Sequence, residues 1–299
     1  MKVCVFGAGA IGSLFAALLS KQNDVFVVCR EAHANAINSS GLAVSGIEEF
    51  NSKIPAYTTA PNQQVDLLVM ATKSYDTEAA IKQATPLISS NTHALSLQNG
   101  YGNPELIHKQ FPGTSVVTGV TTYAAQLREP GKVEWTGKGQ TLLGPPSAFT
   151  QELAENLVSC GISAEVSEDI EKEAWKKLVI NAAINPAGAI FGLTNGELLG
   201  SSEAMKLMQG IVGEAEQVLK LNNTPVLNSF QRVKEVALQT RANRNSMLRD
   251  LDRGKQTEVD YINGVICGLG KKLGVPTPLN EFAVKKIKEL EASSSARAT

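Results

Sequence analysis

The chain has 299 residues, 43% of them hydrophobic and 19% charged, with a formal net charge of −1. That length favours two domains over one, and the near-zero charge removes the electrostatic case for a nucleic-acid or acidic-membrane partner. No apolar run reaches membrane length, and the glycine-broken stretch VCVFGAGAIG does not read as a signal peptide. Four dispersed cysteines (Cys4, Cys29, Cys160, Cys267) and three scattered histidines (His33, His93, His108) show neither a disulfide framework nor metal-ligand spacing. A reduced, cytoplasmic protein without a metal site is expected.

Lys2–Phe6 is a short apolar β-rich run that opens into Gly7-Ala8-Gly9-Ala10-Ile11-Gly12 and then the helical pattern SLFAALLSK. A GxGxxG between a strand and a helix is the context that dinucleotide binding requires. Gly7 allows the turn, Gly9 lets a pyrophosphate approach the backbone, and Gly12 lets helix and strand pack closely. The helix start then offers free N–H groups to the phosphates. The second strand, DVFVVCR, ends in Cys29-Arg30 where an NAD site usually carries an acid. A guanidinium there suits a 2′-phosphate, which points to NADPH/NADP+. A one-residue slip would put Glu31 there and favour NAD instead.

Leu42–Val44 reads as a short strand and Pro61–Gln64 as a loop. Val65–Ala71 is a continuous apolar run suited to a buried parallel strand. Lys73 follows it, placed either to reach cofactor phosphates or as a surface lysine. Thr77–Leu87 is helical. Ala94–Leu97 is a strand running into Gln98-Asn99-Gly100, where Asn99 is either a turn former or an amide for nicotinamide or substrate. Val116–Ala125 supplies another strand end. VEW and TLLG, from about Lys132, look like antiparallel additions at the edge of the parallel sheet. Thr150–Ser159 is a helix capped by Thr150, and Ser163–Val166 a last strand.

From Glu168 strand signals vanish. Domains of 1–167 and 168–299 are therefore expected. The second opens with EAWKKLVINAAINP, apolar except for Lys177, Asn181 and Asn185. Steps of four drift only about 40° each on a helix, so the three form one polar stripe. Such a stripe is a solvated face, a polar seam bonded to a neighbouring helix, or the wall of a wet cleft in which Lys177 meets a carbonyl or an anion. Lys176 points elsewhere. Pro186 should kink or break the helix. Leu193–Gly196 reads as a turn carrying Asn195. Ser202–Leu221, capped by Ser202, Ser229–Thr240, Thr257–Leu273 and Leu279–Leu290 follow as helices. Glu258 sits in a first turn, where it complements the helix dipole. The tail ASSSARAT reads as disordered.

The set GAGAIG, QNG at Asn99, TTYAA, AWKKLVINAAINP, TNGEL, NSML and TEVDYING, in that order, resembles the ketopantoate reductase (2-dehydropantoate 2-reductase) family over most of the chain. The resemblance implies an α/β chain: an N-terminal Rossmann-type dinucleotide-binding domain, then an all-helical C-terminal domain. It also implies hydride transfer from NADPH to the 2-keto group of ketopantoate, giving pantoate for coenzyme A synthesis. On it, Lys177 is the proton donor and Glu258 an acid of the cofactor and active-site network. Asn181, Asn185 and Asn195 are substrate-binding amides, and Asn243 and Ser246 belong to the carboxylate-binding segment. Gly7, Ala8, Gly9, Ala10, Ile11 and Gly12 hold the cofactor's phosphates, Arg30 and Lys73 its 2′-phosphate, and Asn99 and Ala125 its nicotinamide side. A reductase of another small 2-keto acid, or a non-catalytic NADPH sensor, are the alternatives. A homodimer stays open.

Overall fold

The computed structural model describes the backbone of residues 1–298 and the side chains of residues 1–294. The chain divides into two compact units, Met1–Gln98 with Gly102–Ile170, and Asn99–Tyr101 with the chain from Glu171 onward.

The first unit contains β1 (Lys2–Phe6), α1 (Ala10–Leu19), β2 (Asp24–Val28), α2 (Glu31–Ser40), β3 (Leu42–Gly46), β4 (Phe50–Ser52), β5 (Ala56–Tyr57) and β6 (Leu67–Met70). It continues with α3 (Thr77–Ala84), β7 (His93–Ser96), α4 (Asn103–Gln110), β8 (Ser115–Thr121), β9 (Ala124–Glu129), β10 (Lys132–Gly137), β11 (Thr141–Gly144), α5 (Ala148–Ser159) and β12 (Ala164–Val166). The main sheet has the order β12-β11-β8-β7-β6-β1-β2-β5. From β8 to β5 every pairing is parallel. This is the doubly wound arrangement, with its switch point between β1 and β6.

Two sequence expectations change here. TLLG (β11) does extend the main sheet antiparallel to β8. VEW, in β10, does not: it joins a separate sheet of order β4-β3-β10-β9. The cause lies in α1, whose residues Gly12–Leu19 are all buried. A helix apolar all round needs cover on both sides, and α1 packs on β1 and β2 on one side and on β3, β9 and β10 on the other. Val133 and Trp135 of β10 supply part of that cover. The cap of α5 also moves. Ser147, not Thr150, accepts the first-turn N–H, from Thr150 N at 3.0 Å, while the Thr150 hydroxyl turns to Pro145 O.

Among its described residues the second unit contains helices and no strand: α6 (Ile170–Phe191), α7 (Asn195–Leu198), α8 (Ser202–Leu221), α9 (Ser229–Gln239), α10 (Ser246–Asp252), α11 (Val259–Leu273) and α12 (Pro278–Ala298). Trp175, Leu178, Val179, Ala182, Ala183 and Ile184 of α6 share one core with α8 and α11. Asn195 opens a short helix rather than a turn, because Glu197 reaches back to accept from Thr194 N at 2.7 Å. Ser201, not Ser202, caps α8. The tail is helical to Ala298, since Ala, Ser and Arg contain no breaker; Thr299 lies outside the described residues. No described helix is long and apolar enough to cross a membrane, and no described group of His, Cys, Asp or Glu could hold a metal.

Pro186 does not break α6. A proline removes the N–H that would serve the carbonyl four residues back, here that of Ala182. Asn263 of α11, fully buried, donates its amide to Ala182 O at 3.0 Å and to Asn280 Oδ1 at 3.0 Å. Asn280 in turn donates to Ile211 O and Glu214. The orphaned carbonyl is thus tied through α11 and α12 to α8.

Replacing Asn263 by Ala should cost about 2–3 kcal/mol, the scale of leaving a buried carbonyl unpaired. In a Pro186→Ala background, where residue 186 regains its N–H, the same replacement should cost less. A double-mutant cycle by urea denaturation checks this; additive effects would refute the compensation.

Candidate functional site

The phosphate loop comes first. Gly7 has a φ of +93°, and a Cβ at Gly12 would collide with Gly7 O. A Cβ at Gly9 would meet nothing within 4 Å. Loop and helix are therefore packed against each other on one side and open over Gly9, the side a pyrophosphate needs. Helix α1 makes its first backbone bond from Ser13 N to Gly9 O. The N–H groups of Ala10, Ile11 and Gly12 precede it and have no intrahelical acceptor. The first turn carries no acidic side chain, which leaves its positive end to an anion.

Arg30 stands just past β2 as the N-cap residue of α2, 79% exposed, with an Asp76 oxygen 3.8 Å away. Glu31 takes the next position, in the first turn of α2, where a carboxylate complements the helix start. Lys73 follows the carboxyl end of β6. Gln98, past the end of β7, donates to Thr72 O and Thr77 Oγ1, and Thr77 donates to Asn103. That network fixes the segment carrying Lys73. Ala125 is not at a strand end: it lies within β9, opposite Trp135, with its side chain in the core. Only its backbone is left for a ligand.

In the helical unit, Lys177, Asn181 and Asn185 lie on α6, the first two partly buried and Asn185 buried. Lys176 points to solvent and pairs with Glu173 at 2.7 Å. Burial lowers the Lys177 pKa from 10.5 to about 8, and the charge of Glu258 opposes the drop. Glu258 is the N-cap residue of α11 and 4% exposed, a buried acid at the helix start. Asn99 belongs to this unit and points its amide at Glu258 Oε2 across 3.5 Å. Tyr101, two residues on, stacks on Trp175 with centroids 4.2 Å apart and donates to Glu171 at 2.8 Å. Lys177, Glu258 and Asn99 are thereby gathered.

A second cluster joins Asn195 to Asn243. Asn195 N donates to Asn243 O, and Gly196 N to Arg241 O, both at 3.0 Å. The Thr240 hydroxyl donates to Val236 O at 2.7 Å, so it meets the Asn195 side chain as an acceptor. The atom facing it must be Nδ2, at 2.9 Å. This leaves Asn195 Oδ1 buried without a hydrogen-bond partner among the described residues. Ser246 opens α10 but does not cap it. Asn245 does, accepting from Leu248 N at 3.0 Å, while its amide donates to Ile184 O of α6. A Cβ at residue 188 would collide with that amide, so Gly188 makes the approach possible. Thr240, Asn245 and Gln98 escaped the sequence reading. Asn245 alone carried a local signal, an Asn one residue before a helix.

Glu258→Gln should lower the Lys177 pKa further, because it removes a charge that opposes the effect of burial. An NMR titration of the lysine Nζ against pH checks this; an unchanged or higher value would separate the two groups.

The family description "Ketopantoate reductase PanE/ApbA" matches residues 3–148, and its C-terminal counterpart matches residues 169–291. A 2-dehydropantoate 2-reductase of Pyrococcus abyssi is 38% identical over 301 residues, covering 98% of each chain. One from Aquifex aeolicus is 32% identical over 97% of each. Among solved structures, a PanE/ApbA family ketopantoate reductase from Ralstonia eutropha JMP134 is similar at a TM-score of 0.93 and 27% identity. So is D-mandelate dehydrogenase in its ternary structure with NADH and anilino(oxo)acetate, at 0.93 and 29%. Each covers 98% of this chain and is itself covered to 99%. Matched along both parts of its length, the chain belongs to the ketopantoate reductase PanE/ApbA family.

Proposed function

We propose that this protein is the NADPH-dependent 2-dehydropantoate 2-reductase that makes pantoate for coenzyme A synthesis. The observation that carries the proposal is the half-buried Lys177 on the polar stripe of α6, in the field of the buried Glu258 to which Asn99 turns its amide. An ammonium with a pKa of about 8 remains charged at neutral pH and gives up its proton more readily than a free lysine. When bound, NADPH supplies a hydride to the carbonyl carbon. Lys177 donates its proton to the carbonyl oxygen as negative charge grows there, and Glu258 holds the ammonium charged. Asn181 and Asn185 orient the keto acid, and Asn243 and Ser246 take its carboxylate.

The open Asn195 Oδ1 supports ketopantoate over plainer 2-keto acids. An unpaired buried acceptor calls for a donor. The hydroxyl at the far end of ketopantoate is the only donor on that substrate. A phenyl-substituted 2-keto acid, such as a mandelate dehydrogenase would form, offers none. On the cofactor side, the glycine loop with residues 7–12 takes the pyrophosphate and Asn99 the nicotinamide side, with the Ala125 backbone. Arg30, together with Lys73, favours NADPH through the 2′-phosphate. We take residues 1–167 as the cofactor domain and 168–299 as the substrate domain. A cytoplasmic setting fits the free thiols of all four cysteines.

Three outcomes are expected. NADPH oxidation with a panel of 2-keto acids should be fastest with ketopantoate; turnover confined to hydroxyl-free acids would overturn the assignment. Lys177→Ala should lower kcat by about 10²–10⁴-fold, and wild-type kcat/KM should fall as pH rises past about 8, because the acid must be protonated; a flat profile removes Lys177 as proton donor. Arg30→Ala should weaken NADPH binding on the order of tenfold or more while barely changing NADH, as read by fluorescence titration.

A further inference from the structure

His33 lies on α2, three residues past Arg30, and is 6% exposed. Gly131 N donates to its Nδ1 at 2.8 Å. A ring nitrogen that accepts an N–H carries no proton, so the ring is neutral and its hydrogen sits on Nε2. Nε2 is 3.0 Å from Ser13 Oγ, which must therefore accept. The Ser13 hydroxyl passes its own hydrogen to Ala8 O at 3.2 Å. Every donor role along Gly131, His33, Ser13 and Ala8 is fixed by the one before it. The chain ends on the peptide of the glycine loop and starts from the β9–β10 turn, where Gly131 has a φ of +75°. His33 also donates its backbone N–H to Arg30 O at 3.0 Å, within the first turn that Arg30 caps.

We propose that His33 is a positioning residue for the dinucleotide: its neutral imidazole, through Ser13, holds the phosphate loop in register with the helix start that bears Arg30. The inference rests on the cofactor reading above. One imidazole joins the loop for the pyrophosphate, residues 7–12, to the helix for the 2′-phosphate, which begins just after Arg30. Losing the Ser13 hydrogen bond frees the Ala8 carbonyl's anchor, and the cost falls on cofactor affinity rather than on chemistry at the carbonyl.

The test is NADPH affinity without keto acid, by fluorescence titration, on wild type, His33→Leu, His33→Gln, Ser13→Ala and the double variant His33→Leu/Ser13→Ala. His33→Leu and Ser13→Ala should each raise Kd about tenfold, the worth of one hydrogen bond, with kcat at saturating NADPH within about twofold. The double variant should be no worse than either single one, since both cut the same chain. Gln, whose amide reaches toward Ser13, should restore most of the affinity. Long-range 15N NMR should find His33 protonated on Nε2 alone. An unchanged Kd in both single variants, additive losses, or a proton on Nδ1 would overturn the proposal. If His33→Leu does not fold, Ser13→Ala and His33→Gln decide the same question. Wild type that binds neither NADPH nor NADH would overturn the cofactor reading, a different result from wild-type binding that the variants leave intact.

Discussion

A charged ammonium on a helix packed into a core must be held by an opposite charge, and the helical unit is arranged around that requirement. Lys177 on α6 faces the field of Glu258 at the start of α11. The same two helices meet again at Ala182 and Asn263. Both pairs are separated by five residues on each helix and in the same chain direction, so the second contact sets the register of the first. Asn263 therefore answers for more than the hydrogen bond that Pro186 removes. By taking the orphaned carbonyl it fixes how far along α6 the helix α11 lies, and so where Glu258 stands. The proline that ought to have ended the helix becomes the reason its neighbour has a defined position.

The nucleotide unit solves a different problem. A glycine loop can press close to a strand only if the helix behind it is held firmly, and α1 is buried on both sides by two sheets. The loop's orientation is then tied to that helix by hydrogen bonds from Ser13 and His33, which are too specific to be replaced by apolar packing.

What was legible in the sequence was whatever depended on local pattern. The strand–GAGAIG–helix run, the continuous apolar strand at residues 65–71 and the i, i+4 stripe on α6 all lie in windows of about a dozen residues. The disappearance of strands after residue 168 was equally plain. The second sheet was not legible, because β3 and β10 are neighbours in space and some ninety residues apart in sequence. That α6 continues through Pro186 was hidden for the same reason: Asn263, which takes the Ala182 carbonyl, is distant in sequence. The role of Asn245 needed the fold as well, since an Asn before a helix announces a cap but not the Ile184 carbonyl its amide would reach. Cap positions at Ser147 and Ser201 missed by a few residues, as several adjacent hydroxyls compete for the same role.

Asn99, Gly100 and Tyr101 leave a quiet mark on how this protein is divided. They sit between β7 and α4 in sequence but count with the helical unit, where Tyr101 covers Trp175 and Asn99 meets Glu258. The helical unit is therefore discontinuous in the gene. A fragment cut to begin near residue 168 would bare a tryptophan face and strip one neighbour from a buried carboxylate. Recombination at that seam would join two halves that look separate on paper, while the guest tripeptide would still have to match the host helices it lands on.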